Sequence, residues 1–156
     1  MSWGHLLFGF SGRLNRAKYW LWILIYFIAV AVVSAVIYTI NSPMAGGIVQ
    51  LVFSIVALIS SLAVVTKRLH DRNKSAWWLL IFVLIPSLLL GAGIVASVYG
   101  ALMTDDTSNL GPLALVGGAL TLAAGAFLIW SFVELACLRG TIGPNRYGPD
   151  PLEGKI

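Results

Sequence analysis

Four long apolar runs divide the chain, and polar residues collect in the short stretches between them. The runs extend over about 19–40, 48–66, 77–99 and 113–138. Each holds roughly 19 or more residues, enough for an α-helix to cross about 30 Å of hydrocarbon. A closed β-barrel would need alternating polarity, and these runs do not alternate. The pattern therefore predicts an all-α integral membrane protein. Its four transmembrane helices would form a compact bundle in a single membrane domain covering 1–156. Asn41-Ser42-Pro43 closes the first run, Lys67 ends the second, and Trp77-Trp78 opens the third.

Charge adds a direction to this picture. All ten Lys and Arg residues lie in the segments 1–18, 67–76 and 139–156, and none lies in 41–47 or 101–112. Asp105 and Asp106 stand in the connection without basic residues. Short loops rich in Lys and Arg stay on the cytoplasmic side, so both termini are expected in the cytoplasm. Trp3, Tyr19, Trp20, Trp22, Trp77, Trp78 and Trp130 fall near the same ends of the runs, where an interfacial aromatic belt belongs. Composition agrees: 59% of residues are hydrophobic, 10% are charged, and mean hydropathy is +0.91. Soluble domains carry about a quarter charged residues. The net charge of +4, gathered on one face, favours anionic headgroups by roughly 1 kcal/mol per basic residue near the surface. The same topogenic requirement accounts for every basic residue, so nucleic acid is not an expected partner.

The beginning of the chain does not read as a cleavable signal, because Arg13 and Arg16 follow its apolar stretch rather than precede it. Trp3, Leu6, Leu7 and Phe10 share one helical face, which predicts a short amphipathic helix lying in the interface. Gly117, Thr121 and Gly125, and likewise Ala92, Ala96 and Gly100, recur every four residues. Small residues at that spacing let membrane helices approach closely, either within one bundle or between copies in a homo-oligomer. Pro86 should loosen the third span and free a carbonyl near Phe82. The single cysteine, Cys137, leaves no internal disulfide and reads as an apolar residue near a helix end.

Three polar stretches remain. The first contains Gly12, Arg13, Arg16, Tyr19 and Trp20; the second, Arg68-Leu69-His70-Asp71 followed by Ser75, Trp77 and Trp78; the third, Asn145, Tyr147, Gly148 and Pro151. Together they resemble the signature stretches of the bacterial inner-membrane family catalogued as domain of unknown function 805, over almost the whole chain. The resemblance implies a multi-pass protein of the bacterial inner membrane and brings no settled activity with it. Asn73 and Ala76 stand where relatives commonly have glycine. Asn tolerates the left-handed region better than other non-glycine residues, so the turn at Asn73 should survive.

The residues suggest three uses for these stretches. Arg68 to Arg72 reads as a short loop that anchors helices, with Leu69 turned toward the bilayer and Ser75 as the N-cap of the third span. Asp71 would cap that span or pair with Arg13 or Arg16. Alternatively, Arg13, Arg16, Arg68, His70, Asp71, Arg72 and Asn145 form an anion or headgroup site. A catalytic His70–Asp71 pair is the third reading, although adjacent residues rarely present both side chains to one substrate. His5 is the only other histidine, so neither a metal site nor any other cofactor is expected. Glu134, inside the last run, costs a few kcal/mol if ionised and unpaired; Arg68 is its expected partner. The chain thus reads as a non-enzymatic protein binding anionic lipid or a protein partner at its cytoplasmic face. The alternative is a small oligomeric transporter or channel.

Overall fold

A computed structural model describes residues 2–40, 42–103 and 111–154. The aspartates expected to mark the far side, Asp105 and Asp106, lie outside the described residues. The described chain is helical, with four helices long and apolar enough to cross a membrane. They divide between two compact units, residues 1–76 with 135–156, and residues 77–134.

The first unit begins with α1, Trp3–Phe8, the short amphipathic helix the sequence predicted. Ser2 caps it by accepting from His5 N–H, and Leu6 is its buried residue. A turn through Gly12, at φ +89°, leads to α2, Arg16–Ile40. Asn15 sits at the N-cap position, with Oδ1 accepting from Lys18 N–H at 3.0 Å. Ser42 then caps α3, Pro43–Asp71, and Pro43 supplies the preset φ of a first helical position. Trp22 does not join the aromatic belt. It is buried, donates through Nε1 to Ser60 Oγ at 3.1 Å, and stacks on Tyr26.

The most consequential difference from the sequence reading is where α3 ends. The second span was expected to stop at Thr66 and give way to a loop, yet the helix continues through Arg68 to Asp71. Leu69 is buried within that last turn. The chain reverses at Asn73, which adopts φ +57° as expected of a glycine-like position. Helical structure resumes at Trp78, so Ser75 lies too early to be an N-cap. Extending the helix fixes the positions of Arg68 and Asp71, which a loop would leave mobile.

In the second unit, a π-helical turn at Leu80–Leu84 leads into α4, Ile85–Leu102. Proline at position 86 removes one donor from the ladder, and the loosened turn precedes it as expected. The carbonyl of Phe82 accepts instead from Ser131 Oγ at 3.2 Å, a bond from α5, Pro112–Phe132. α4 and α5 pack through small residues. A Cβ on Gly93 would lie 2.6 Å from Thr121 Oγ1, and one on Gly100 would lie 2.5 Å from Ala114 N. The packed faces are Gly93-Ser97-Gly100 and Ala114-Gly117-Thr121-Ala124, spaced three and four residues apart. Ala92 is exposed, and a Cβ at Gly125 would meet open space. The strict four-residue stripes drift off the contact, because 3.6 residues per turn needs alternating threes and fours.

Large apolar side chains such as Phe27, Leu51 and Leu122 are exposed along the helices. In water such a surface would aggregate; in lipid it is the ordinary exterior of a spanning helix.

Candidate functional site

The polar stretches of the first unit meet at the basic end of the helices, around Asp71. Its carboxylate joins two arginines from different parts of the sequence. Arg13 Nε donates to Oδ1 at 3.1 Å, and Arg68 Nη1 donates to Oδ2 at 2.6 Å. All three residues are buried. The Asp71–Arg13 pairing was one of the sequence expectations; Arg68, one turn earlier on the same helix, completes a trio with one surplus positive charge.

Backbone carbonyls take up the remaining guanidinium donors. Arg13 reaches into the third polar stretch, donating through Nη1 to Gly143 O at 2.6 Å and Gly148 O at 3.3 Å. Its Nη2 donates to Thr141 O at 2.5 Å and Thr141 Oγ1 at 3.2 Å. Arg68 donates through Nε to Leu135 O at 2.6 Å, through Nη1 to Leu14 O at 3.3 Å, and through Nη2 to Leu138 O. Only arginine supplies so many donors in a planar fork without ever losing its charge.

The last span ends in a π-helical turn, Val133–Cys137. A helix leaves its final carbonyls without intrahelical partners, and here four successive ones accept from side chains. Leu135 and Leu138 receive Arg68, Ala136 receives Trp20 Nε1 at 3.2 Å, and Cys137 receives Arg16 Nη1 at 3.0 Å. Cations at a helix C-terminus also meet the negative end of its dipole. Glu134, expected to pair with Arg68, is buried in this turn as the boundary residue of the second unit. The carboxylate that Arg68 meets within its own unit is that of Asp71.

The other candidate residues surround the trio. His70 lies flat against Tyr147, with ring centroids 3.8 Å apart and planes 4° from parallel. Its Nδ1 is 3.2 Å from Gly12 O, which requires the proton on Nδ1. Asn145 Nδ2 donates to His70 O at 3.0 Å and Thr141 Oγ1 at 2.8 Å. Arg72 donates to Arg139 O at 2.7 Å. His70 and Asp71 thus turn toward different partners and do not form an acid–base couple.

Sequence reading missed four contributors. Thr141 binds back to Asp71 O through both its N–H, at 2.8 Å, and its hydroxyl, at 3.0 Å. Gly140 is needed because a Cβ there would collide with the Asp71 carboxylate. Lys67 is buried and donates to His5 O at 2.7 Å and Leu6 O at 2.6 Å, tying down α1. Leu14, fully buried, donates its backbone N–H to Lys67 O at 3.1 Å. Only the Gly140-Thr141 pair offered a signal, as a small residue beside a hydroxyl just past a span. Farther out, Asp150 accepts from Leu152 N–H and Gly143 N–H, and those two bonds hold its carboxyl below the usual carboxylate range.

A separate hollow of about 500 Å³ is lined by Arg16, Trp20, Asn15, Ala17, Ala136, Cys137 and Leu152. Arg16, Trp20 and Cys137 are all exposed there.

Four helices of membrane length and apolar surface define an integral membrane protein. The family model described as "Protein of unknown function (DUF805)" matches residues 7–149, and the chain belongs to that family. Inner membrane protein YhaH of Escherichia coli (strain K12) is 30% identical over 146 residues, covering 92% of this chain and 87% of its own length. Uncharacterized protein YiiR of the same strain is 28% identical over 155 residues, covering 96% and 90%. Inner membrane protein YhaI, also from that strain, is 26% identical over 149 residues, covering 94% and 88%. No solved structure matches the chain.

Proposed function

We propose that this is a non-enzymatic inner-membrane protein that binds anionic lipid headgroups at its cytoplasmic face, with both termini in the cytoplasm. The observation that carries the reading is the division of labour among the arginines. Arg13 and Arg68 are buried and bonded to Asp71 and backbone carbonyls, so they build the face rather than offer charge. Arg16 is exposed over the 500 Å³ hollow beside the Trp20 ring. Its fork donates to Cys137 O through Nη1, and its other nitrogens can reach a phosphate oxygen. Tryptophan at that level favours the headgroup region, where one side is apolar and the other wet.

Native mass spectrometry of the purified protein in mixed phosphatidylglycerol and phosphatidylcholine tests this. Phosphatidylglycerol adducts should outlast phosphatidylcholine adducts. Arg16→Gln should reduce that preference by about fivefold, the equivalent of roughly 1 kcal/mol per basic residue. Equal retention of both lipids by the unaltered protein would reject the reading.

One observation favours a small oligomeric transporter as a second reading. Ser34, Gln50, Ser54 and Ser61 gather along a groove of about 580 Å³ between α2 and α3. Ion flux in liposomes separates the two: rapid protein-dependent flux would favour transport.

A further inference from the structure

We infer that the α2–α3 groove is the contact surface for a second copy of this chain, held by the amide of Gln50 against its own symmetry mate. The argument begins with depth. Counting about 30 Å of hydrocarbon from Thr66, just before the basic cluster, at 1.5 Å per residue, puts the far boundary near Gly46. Gln50 therefore lies inside the hydrocarbon, as do Ser54 and Ser61. These side chains nonetheless face a groove of about 580 Å³ rather than packed protein, and Gln50, Ser34 and Ser54 are exposed along it.

Exposed polar atoms at that depth have no water to bond. Gln50 Nε2 donates to Ser54 Oγ at 3.3 Å. The amide has a second N–H and an acceptor oxygen, and neither has a partner among the described residues. An acyl chain cannot serve them, because it has no polar atoms, and a headgroup stays at the interface. A second copy can. Copies of one chain insert with the same orientation, so a two-fold axis along the membrane normal sets residue 50 of each at the same depth. An amide carries a positive pole on nitrogen and a negative pole on oxygen, so it complements itself across such an axis. Hydroxyl and amide side chains bonding between helices are a recognised source of association in lipid, and two-fold contacts are self-complementary by construction. Tyr26 and Phe53, with ring centroids 6.5 Å apart, form a firm apolar wall beside the polar stripe.

The small-residue faces do not compete for this role. Gly93, Gly100 and Gly117 are already used between α4 and α5.

The test uses full-length protein in native membranes with Cys137→Ser as the background. Ser34→Cys, in the groove, and Leu51→Cys, both with Gln50 retained, are compared with a short bifunctional thiol reagent. Leu51 is also exposed but lies about 100° around the helix from Gln50. Dimer bands at position 34 and not at 51 are expected. Cross-linking at 51 alone, or at neither, overturns the inference. In detergent, Gln50→Leu should leave the thermal transition in place and weaken self-association about tenfold, roughly 1.4 kcal/mol. A Gln50→Leu protein that self-associates as tightly as the unaltered one also overturns it. So does an unaltered protein that is monomeric and carries a co-purified small molecule in the groove.

Discussion

Asp71 is the residue on which the polar end of the first unit depends. Its carboxylate opposes two buried guanidinium groups, and its backbone carbonyl holds Thr141. Breaking a buried ion pair by removing one partner costs far more than the pair contributes, because the other charge stays buried. Asp71→Asn should therefore destabilise the protein by about 3–5 kcal/mol, read as a lowered unfolding midpoint in mild detergent. Arg72→Gln, in the next position but only half-buried, should change the midpoint little. Equal effects would mean that Asp71 contributes only surface charge. The sequence brought Arg13 and Asp71 to notice because charged residues are rare in so apolar a chain. Gly140 and Thr141 carry only the faint signal of a small residue beside a hydroxyl just past a span, because their importance comes from a close approach of backbone to carboxylate.

At the scale of elements, apolar run length located the four spans, because the bilayer imposes it directly. Their ends were less legible. α3 continues past Thr66 because Lys67, Arg68 and Asp71 bury their charges among internal partners, so charge no longer marks the edge of the helix. Pro86 announced its own loosened turn, since the missing N–H is a property of the residue alone. The face shared by α4 and α5 was legible in kind but not in register, and a difference of one position separates contact from lipid. Gly117 and Gly118 give a direct comparison. A Cβ at 117 would press on Ser97 and on Gly93 O at 2.7 Å, whereas one at 118 meets nothing. Gly117→Val should cost about 1–3 kcal/mol through forced separation of the helices. Gly118→Val should stay within about 0.5 kcal/mol. Two unfolding curves in the same detergent decide this, and matching midpoints would show that α4 and α5 do not depend on close packing.

For the whole molecule, the one-sided distribution of the ten basic residues serves two purposes that the sequence alone does not separate. The positive-inside rule counts charges near the membrane regardless of what they later touch, so under the proposed topology all ten would act during insertion. In the folded protein Arg13, Lys67 and Arg68 are buried and bonded internally, so they no longer present charge to lipid. Orientation should therefore tolerate loss of individual outer charges, while fold and lipid preference should not respond alike. A periplasm-active phosphatase fused after residue 156 should be inactive, and a fluorescent protein fused there should glow. Strong phosphatase activity would invert the proposed topology and move the lipid site to the opposite leaflet. Arg16→Gln combined with Arg146→Gln should leave both reporters unchanged and weaken anionic-lipid retention. Asp71→Asn, which removes no positive charge, should leave the reporters unchanged too but lower the yield of folded protein. That three-way pattern distinguishes charges that steer insertion from charges that hold the structure, because only the second group is buried among its partners.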